Sequence, residues 1–402
     1  MAERARGLVI ALALAGCGDD GGGDTGGTDA ATSGATGGLT EGTGAPGPTS
    51  GPAPATEGET GGETGGTAVG EDSGGAPGTG DTGDGGEDST SGGVDEPVGT
   101  FVAVGDGGRR LWSSDGEAWQ GVVGSGELDV DSETAAEDAL RAVAVGDGYM
   151  LAVGGGGTYW AGNAMVMRST DAGVTWQEDL LINSPDVQQS KLYGVAISGQ
   201  NVVASGVRGK RIRSGDGGLT WTDVTFEDQN ARLLAVAAIG DTFVVVGWTE
   251  DAYDAPKTSA ITTSTDAGLT WGAVDESRPR LDTVVAGNDT FIALGAEVCL
   301  RGSDGVNWDD CGLGQAQYIG VSFAGGEFVV VTPAGIATAN DGKTWTPPVM
   351  PPFGAPKLVA RGNDRWVGIR WTDRGFAEKI EEWTYASYTT EPLRALVFVP
   401  AP

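Results

Sequence analysis

The sequence predicts an all-β protein, a seven-bladed β-propeller that follows a disordered acidic linker rich in Gly and Thr. Three observations carry this prediction. A short segment ending in Trp recurs six times between residues 113 and 345, at a spacing that suits one supersecondary unit per repeat. Apolar β-branched runs, broken by Gly, Asn or Asp turns, precede the copies and are typical of β-hairpins. Residues 18–99 contain no aromatic residue and cannot form a core.

The N-terminus has the order of an export signal. Arg4 and Arg6 precede an apolar stretch at residues 8–15, which is too short to cross a bilayer as a helix. Residues 14–17, Leu-Ala-Gly-Cys, resemble the lipobox of bacterial lipoproteins, in which the Cys thiol receives a diacylglyceryl group. We therefore expect residues 1–17 to be a lipoprotein signal peptide and Cys17 to be lipidated, with an ordinarily cleaved signal as the alternative.

The expected location follows from that lipid anchor. Acyl chains on Cys17 would hold the exported protein on a lipid bilayer at the cell envelope without spanning it. Gly18, rather than Asp, follows Cys17, which favours the outer membrane or cell surface over the inner membrane, although Asp19 and Asp20 weaken this argument.

Residues 18–99 are predicted to be a disordered tether. They hold 29 Gly and 16 acidic residues and no Lys or Arg. Burial there cannot offset the chain entropy lost on ordering, and the mean reach is about 50 Å. A calcium-binding interpretation is weaker because the nonapeptide spacing of calcium β-helices is absent. Residues 100–402 form the predicted propeller domain.

The charge balance excludes one class of partner. The chain has a formal charge of −32, and residues 100–402 carry −17 of it. Nucleic-acid binding needs clustered Lys and Arg, so we expect no nucleic-acid partner. The chain has no His, the commonest metal ligand and general base. We expect no metal and no cofactor.

The repeated segments have the composition of locked turns. Three copies are complete, STDAGVTW at 169–176, SGDGGLTW at 214–221 and STDAGLTW at 264–271. SSDGEAW at 113–119 and GSDGVNW at 302–308 are one residue shorter, and TANDGKTW at 338–345 has Asn340 in place of Asp. Ser and Asp side chains bond backbone N–H groups in a turn, Gly permits a positive φ, and Trp packs on the returning strand. The residues expected to hold these turns are Ser113, Asp115, Trp119, Ser169, Asp171, Gly173, Trp176, Ser214, Asp216, Gly218, Trp221, Ser264, Asp266, Gly268, Trp271, Asp304, Trp308, Asn340, Gly342 and Trp345.

These segments resemble the Asp-box, or BNR repeat, of sialidases, xyloglucanases and the photosystem II stability and assembly factor family. The resemblance covers nearly all of residues 100–402. It implies that each box lies at the turn between the third and fourth strands of a propeller blade and has a structural role. It is specific for the fold and carries no information about activity.

The blades can be counted by their innermost strands, which are expected near Val143, Val195, Val236, Val284, Val321, Val359 and Leu396. The first box lacks a preceding strand, and the run at 394–399 has no blade after it. Joining the two completes a seventh blade and closes the ring, which removes unpaired sheet edges. The blade from Val359 has no recognisable box, so six blades with an irregular strand pair remain the alternative.

Two cysteines flank the shorter box at 302–308. If Gly302 faces Trp308 across the turn, the same register places Cys299 opposite Cys311. An exported chain meets oxidising conditions, so a cross-strand disulfide is the expected state, and two buried free thiols are the alternative.

Function is expected at the end of the ring opposite the boxes, where insertions occur at 124–138, 155–164 and 248–258. The candidate ligand face comprises Tyr159, Trp160, Trp248, Tyr253 and Asp254. Such aromatic residues suit stacking on sugars or packing on a protein, and the alternative is that the loops fold back on the blade rim.

The favoured function is a non-catalytic binding or assembly module with an unknown protein or carbohydrate ligand. A sialidase or xyloglucanase activity is the first alternative, for which Glu250, Asp251 and Asp254 supply carboxylates. The Arg-Ile-Pro segment of sialidases is absent, and closeness in sequence does not show the geometry of a glycosidase pair. A role in assembling membrane complexes is the second alternative. No catalytic residue is assigned.

Overall fold

The structure is a computed structural model. It describes residues 11–13, 98–122, 139–156, 163–177, 180–181, 191–225, 231–250, 256–295, 297–314, 317–352, 354–370, 373–379, 382–387 and 393–401. These residues belong to one compact unit, Met1–Gly18 with Asp95–Pro402. A second unit, Asp19–Val94, lies outside the described residues, and so does Cys17. The tether and the lipid anchor therefore stay predictions.

The described chain is built from β-strands. In order they are β1 (Ala11–Ala13), β2 (Thr100–Gly105), β3 (Arg110–Ser113), β4 (Gln120–Val122), β5 (Leu140–Val145), β6 (Met150–Gly154), β7 (Met165–Ser169), β8 (Leu192–Ser198), β9 (Asn201–Gly206), β10 (Arg211–Ser214), β11 (Thr222–Asp223), β12 (Ala231–Ile239), β13 (Thr242–Glu250), β14 (Pro256–Ser264), β15 (Thr283–Gly287), β16 (Thr290–Leu294), β17 (Cys299–Gly302), β18 (Asp309–Asp310), β19 (Gly320–Ala324), β20 (Glu327–Thr332), β21 (Gly335–Ala339), β22 (Leu358–Gly362), β23 (Arg365–Ile369), β24 (Asp373–Ala377), β25 (Thr384–Ser387) and β26 (Leu393–Val399). A 3₁₀ turn, Asp106–Gly108, follows β2. Within these residues no helix has the length and apolarity to span a bilayer.

The strands form seven antiparallel sheets, which confirms the predicted seven-bladed propeller. Blades 1 to 6 begin with β5, β8, β12, β15, β19 and β22, and blade 7 has the order β26-β2-β3-β4. Each first strand contacts the next one around the ring, including β26 with β5. Blade 6, which has no box, is a complete sheet of β22 to β25, so the six-bladed alternative is wrong.

Blade 7 is sealed by both ends of the domain, as the sequence predicts. Strand β26 pairs with β2 over its length, with Thr100 opposite Val399 and Ala103 opposite Leu396. The rings of Phe101 and Phe398, which face each other across this pair, have centroids 4.9 Å apart. The last strand of the chain therefore supplies the first strand of the blade that the N-terminal strands complete.

Strand β1 pairs antiparallel with the free edge of β5, with Ala11 opposite Ala144. It also contacts β8, β12, β15 and β26, all first strands, so it lies along the axis of the ring. It falls within residues 1–17, the segment that the sequence predicts to be removed on export.

The core lies between the blades. Because each blade is covered on both faces by its neighbours, its inner strands read as continuous apolar runs instead of alternating ones, as in Val244, Val245 and Val246, which are all fully buried. Close packing between blades needs small residues in places. A Cβ at Gly287 in blade 4 would lie 2.2 Å from the ring of Phe323 in blade 5, so only glycine fits there.

The box turns have the expected hydrogen bonds. In blade 3, the Ser264 hydroxyl donates to Asp266, and the Gly268 N–H donates to Ser264 Oγ at 2.9 Å. The Thr270 N–H donates to Asp266 Oδ1 at 2.8 Å. The Trp that closes a box bonds back to it in blades 7, 1 and 2, where Nε1 of Trp119, Trp176 and Trp221 donates to a box carbonyl at 2.9 to 3.0 Å.

The box of blade 5 differs from the expectation. Asp341, and not Asn340, accepts hydrogen bonds from the N–H groups of Lys343 and Thr344, at 2.8 and 2.7 Å. The side chain of Asn340 is exposed, and its carbonyl accepts from Asn288 of blade 4. The assignment of Asn340 was therefore wrong. This box is a third seven-residue copy, 339–345, with Asp341 where the other short boxes have Asp115 and Asp304.

A side chain immediately before the box joins most blades to the next. Arg168, Arg213 and Arg301 donate from Nε to the box carbonyls of Gly217, Ala267 and Asp341 in the following blade, at 3.1, 2.7 and 2.8 Å. The Thr263 hydroxyl donates in the same way to Gly305 O. Each bond satisfies a carbonyl that the tight turn leaves without a strand partner.

Cys299 and Cys311 form a disulfide between β17 and the residue that follows β18, with Cα atoms 5.5 Å apart. The strands pair in the expected register, with Leu300 opposite Asp310 and Arg301 opposite Asp309. Both sulfur-bearing residues are buried.

Candidate functional site

The two ends of the ring are built differently. One end, which we call the box face, carries the box turns and the hairpins between first and second strands. The first strands begin at the other end, which we call the mouth face. The described strands that flank the three insertions at 124–138, 155–164 and 248–258 end or begin at the mouth face, and most residues of the insertions themselves lie outside the described part of the chain.

One residue per blade occupies the same position at the start of the first strand. It lies two residues before the strand positions used above to count the blades. We call this set the mouth ring, and it consists of Arg141, Tyr193, Leu234, Asp282, Ile319, Lys357 and Arg394. The flanking residues repeat, as in LRAV, LYGV, LLAV and LRAL, while the second residue changes. The flanking residues are therefore similar in these blades, whereas the side chain at the mouth-ring position differs in size and charge.

In four consecutive blades the mouth-ring residue forms a β-bulge. The register of the first two strands skips Arg394 in blade 7, Arg141 in blade 1, Tyr193 in blade 2 and Leu234 in blade 3. A bulge leaves one residue without a cross-strand partner and re-aims its side chain. The four side chains are therefore released from the regular alternation of the blade at its mouth end.

These bulged residues contact one another across blade boundaries. The Arg141 guanidinium lies over the Tyr193 ring, 4.7 Å from its centroid. Tyr193 in turn packs in a small buried cluster with Val207, Leu234 and Trp248. Blades 1, 2 and 3 therefore present a continuous layer of stacked side chains at the mouth.

Trp248 is not the exposed loop residue that the sequence predicts. It lies in β13, is 7% exposed, and its indole is flanked by Arg232 and Arg280, with guanidinium carbons 5.6 and 4.6 Å from the ring centroid. The insertion begins later than expected because β12 and β13 are nine residues long and carry Trp248 into the sheet. Trp248 therefore supports the layer of stacked side chains at the mouth, and it cannot stack on a ligand unless its neighbours rearrange.

The other predicted ligand residues, Tyr159, Trp160, Tyr253 and Asp254, lie outside the described residues, and so does Asp251. Glu250 is the last residue of β13. The structure therefore does not test the distance between the carboxylates on which the glycosidase alternative depends.

Residues 208–213 contain four basic residues, Arg208, Lys210, Arg211 and Arg213, and the structure directs them to different parts of blade 2. Lys210 forms an ion pair with Asp223 at 2.6 Å, and Arg211, which is 1% exposed, lies over the Trp271 ring. Arg213 points to the box face, where it bonds Ala267 O and Asn201. These residues balance neighbouring groups and do not form one anion site.

Two of the ion pairs between described residues involve the mouth ring. Arg394 binds both carboxylate oxygens of Asp106, at 2.9 and 2.6 Å. Asp282 lies 2.9 Å from Arg280 Nη2. Burial raises the pKa of Asp282, and the charge of Arg280 opposes that shift only in part. The mouth therefore carries one of these ion pairs in blade 7 and the other at the start of blade 4.

The sequence contained an unused signal for this region. The second strands of blades 1 and 2 end in Gly154 and Gly206, Gly247 lies within the second strand of blade 3, and Gly295 directly follows that of blade 4. A Cβ at each of these four positions would lie 1.9 to 2.0 Å from a carbonyl oxygen at or before the start of the first strand. Glycine is needed because the backbone crosses there. In blades 1 to 4, an apolar run that stops at Gly therefore marks the mouth end of the second strand.

The mouth-ring residues differ in their exposure. Ile319 is 42% exposed and Asp282, Lys357 and Arg394 are half-buried, whereas Arg141, Tyr193 and Leu234 are buried. Among the described residues no cluster of three or more Cys, Asp or Glu is arranged to hold a metal ion. The arrangement is suited to binding.

No protein-family model matches the chain, and no curated protein matches it. Among solved structures it is similar to one described as YCF48 bound to D1 peptide, with 18% identity over 49% of this chain and 69% of that chain, and a TM-score of 0.38. It is also similar to YCF48 from Cyanidioschyzon merolae, with 18% identity, coverages of 51% and 72%, and a TM-score of 0.37. The designed Ika8 protein shows 11% identity, coverages of 75% and 90%, and a TM-score of 0.45. Likenesses at this level assign no activity or partner to this chain.

Proposed function

We propose that this protein is an exported lipoprotein whose propeller is a non-catalytic binding or assembly module, and that a protein partner engages the mouth face. The mouth ring is the observation that carries this proposal. Its seven positions are equivalent in the fold, yet they hold Arg, Tyr, Leu, Asp, Ile, Lys and Arg. The box positions, by contrast, repeat the same residues because they hold turns. Because the backbone position is the same in every blade while the side chain differs, the mouth ring has its own pattern of shape and charge, which a specific partner can recognise.

The mouth ring also has the composition of a protein interface. Ile319 is 42% exposed and supplies an apolar contact, while Arg394 and Lys357 follow it around the ring. Protein interfaces combine an apolar centre with a polar rim and are enriched in Arg and Tyr. A folded or extended protein segment that covers the channel mouth would contact these groups together.

The lipid anchor would place this face near envelope proteins. The segment at residues 14–17 and the tether at 18–99 support this part of the proposal. Metabolic labelling with radioactive palmitate should mark the wild-type protein, and Cys17→Ser should abolish the label and release the protein from membranes. Either a labelled Cys17→Ser protein or an unlabelled wild type would contradict the proposed lipid anchor on Cys17.

Photo-crosslinking in intact cells tests the partner. A photoreactive phenylalanine analogue at Ile319 should give a discrete crosslinked protein. The matched control is Leu269 on the box face, which is 58% exposed and should give none. Crosslinks from Leu269 alone would move the binding face to the boxes. If the protein turned over sialyl or glucan substrates, an enzymatic function would replace the proposed non-catalytic one.

A further inference from the structure

The channel of the ring holds an extended segment of this chain. Strand β1 pairs antiparallel with the inner edge of β5, with Ala11 opposite Ala144 and Ala13 opposite Ala142. It also contacts β8, β12, β15 and β26, so first strands of blades 2, 3, 4 and 7 enclose it on most sides. Among the described strands, the first strands of the other six blades have no strand on their inner edge.

This pairing uses backbone groups of β5 that face the channel. In the hairpin that follows β5, the Gly146 N–H donates to Tyr149 O at 2.8 Å. Backbone groups along an antiparallel strand point alternately to either side, so those of Ala144 turn to β6 and those of Val143 turn to the channel. Val143 therefore exchanges hydrogen bonds with Leu12, the residue opposite it.

The side chains around β1 are small and apolar. Ala142, Val143 and Ala144 are fully buried, and the two alanines lie opposite the two alanines of β1. A polar side chain placed against them would be buried without a hydrogen-bond partner, which costs free energy. The segment that fits this place is extended, apolar and rich in small residues.

The proposed export step would remove β1, because this strand belongs to residues 1–17, the predicted signal peptide. Its removal would leave the channel-facing N–H and C=O groups of Val143 without a strand partner. An open strand edge is a template for pairing with an extended segment of another chain.

We propose that in the exported protein the inner edge of β5 binds an extended apolar segment of the protein partner, which adds as a strand in the channel. The site deepens the proposed function and rests on it for the partner. Because β5 begins at the mouth face, a segment bound in the direction of β1 has its C-terminal end at the mouth and its N-terminal end inside the channel. The segment is therefore a free N-terminus of a partner whose body stays at the mouth face.

Fluorescence anisotropy tests the site on a chain that starts at residue 18, which keeps every strand of the seven blades. The probe is a fluorescein-labelled peptide with the sequence of residues 3–16, in which Arg4 and Arg6 provide solubility. It should bind saturably and be displaced by unlabelled peptide. The uncleaved chain with Cys17→Ser, whose channel holds β1, should bind the probe at least about tenfold more weakly, because its own segment competes at a high effective concentration.

Two modified peptides separate strand pairing from apolar adhesion. An N-methyl group on the residue corresponding to Leu12 removes the N–H that faces Val143 and should weaken binding about tenfold. The matched control carries the N-methyl group on the residue corresponding to Ala13, whose N–H points away from β5, and should bind within about threefold of the unmodified peptide. A photoreactive leucine analogue in place of Leu12 should crosslink to Leu140–Val145, as identified by mass spectrometry.

Three results of these measurements would overturn the site. They are the absence of saturable binding, equal affinities of the two N-methylated peptides, and crosslinks confined to residues outside the first strands. Recovery of residues 11–13 in the exported protein by mass spectrometry would also overturn it, because the chain's own β1 would then fill the channel.

Failure of this site is distinguishable from failure of the proposed function. A partner crosslinked at Ile319 without peptide binding refutes only the channel site. Peptide binding that depends on the Leu12 N–H, without any partner crosslinked at Ile319, refutes only the protein partner at the mouth face.

Discussion

The carboxylate of each box organises its turn. Asp266 accepts from the hydroxyl and the N–H of Thr270 and from Ser264, and these bonds, led by that of the Thr270 hydroxyl, lower its pKa to about 2. The N–H groups of Thr344 and Lys343 lower the pKa of Asp341 to about 2 in the same way. The ionised carboxylate thus replaces strand pairing for the N–H groups of a tight turn.

The assignment of Asp341 gives a prediction at a single residue. Asp341→Ala leaves two backbone N–H groups and the Thr344 hydroxyl without their acceptor, and should lower the free energy of unfolding by about 1–2 kcal/mol. Asn340→Ala is the control and should change it by less than about 0.5 kcal/mol, because that side chain is exposed. Urea denaturation measures both. The opposite ranking would restore Asn340 as the box residue.

Acid should weaken the fold over a defined range. The pKa values of Asp216, Asp266 and Asp341 are lowered from 3.8 to about 2, so their contribution to stability is complete above pH 4 and is lost as pH falls toward 2. Urea midpoints between pH 7 and pH 2 measure this dependence, which should be shallower in Asp266→Asn. A midpoint that does not fall between pH 4 and pH 2 would contradict the role of these carboxylates.

Trp248 shows why single residues of the site were harder to predict. Its place among Thr, Glu, Asp and Lys residues indicates a loop, yet the pairing of β12 with β13 continues through Thr249. The Trp248 indole is buried between two arginines, Arg280, which is far away in sequence, and Arg232, which lies in the neighbouring strand β12. A local pattern cannot report such a contact.

At the scale of elements, two boxes lack the Ser that holds the others. Gly302 in blade 4 and Ala339 in blade 5 occupy its position. In blade 4 the Cys299–Cys311 disulfide joins the two strands that the turn connects. In blade 5 the Trp345 indole donates to Cys311 O at 2.8 Å, so this box is tied to the disulfide-bonded strand pair. The disulfide supports two turns.

Loss of the disulfide should therefore destabilise both turns. Cys299→Ala with Cys311→Ala should lower the free energy of unfolding by about 3 kcal/mol, because the link closes a short loop in the unfolded chain. A thiol titration of the unfolded wild type should find no free thiol from either residue without reductant. Urea denaturation gives the energy. Equal stability of the two proteins would show that the turns hold without the link.

The first and second strands could be predicted because apolar runs broken by Gly, Asn or Asp turns are local signals. The outer strands β11 and β18 could not, since Thr-Asp and Asp-Asp have no strand pattern. They pair with the third strand of their blade because the box turn places them beside it. Blade 6 was harder to count because β24 and β25 are joined without a box.

At the scale of the whole molecule, ring closure makes the two domain ends interdependent. Strand β26 supplies the edge to which β2 pairs, and it also packs against β5 and β22. Without it, blades 6 and 1 would each expose an apolar face. Seven blades should therefore unfold together.

A truncation tests this interdependence. A chain ending at residue 392 loses β26, and we expect it to be insoluble or to lose its cooperative unfolding transition. The control ends at residue 399, keeps every paired residue of β26, and should unfold like the wild type. Circular dichroism during heating measures both. A cooperative truncated protein of wild-type stability would mean that blade 7 does not close the ring.

The position of the site could be predicted more fully than its chemistry. Counting blades from Val143 to Leu396 located every first strand, and the mouth ring lies two residues before each. The direction and the contacts of each of these side chains depend on bulges and on neighbouring blades, as for Arg141. The sequence has no short-range signal for either.

Closure of the ring by the two domain ends is tested most directly by a covalent link between them. In a Cys17→Ser background, Thr100→Cys and Val399→Cys place the only free thiols on residues that face each other in β2 and β26. A short bis-maleimide should join them within one molecule at micromolar protein concentration, and mass spectrometry should recover the two peptides linked. Links only between molecules, or none, would contradict the closed seven-bladed ring.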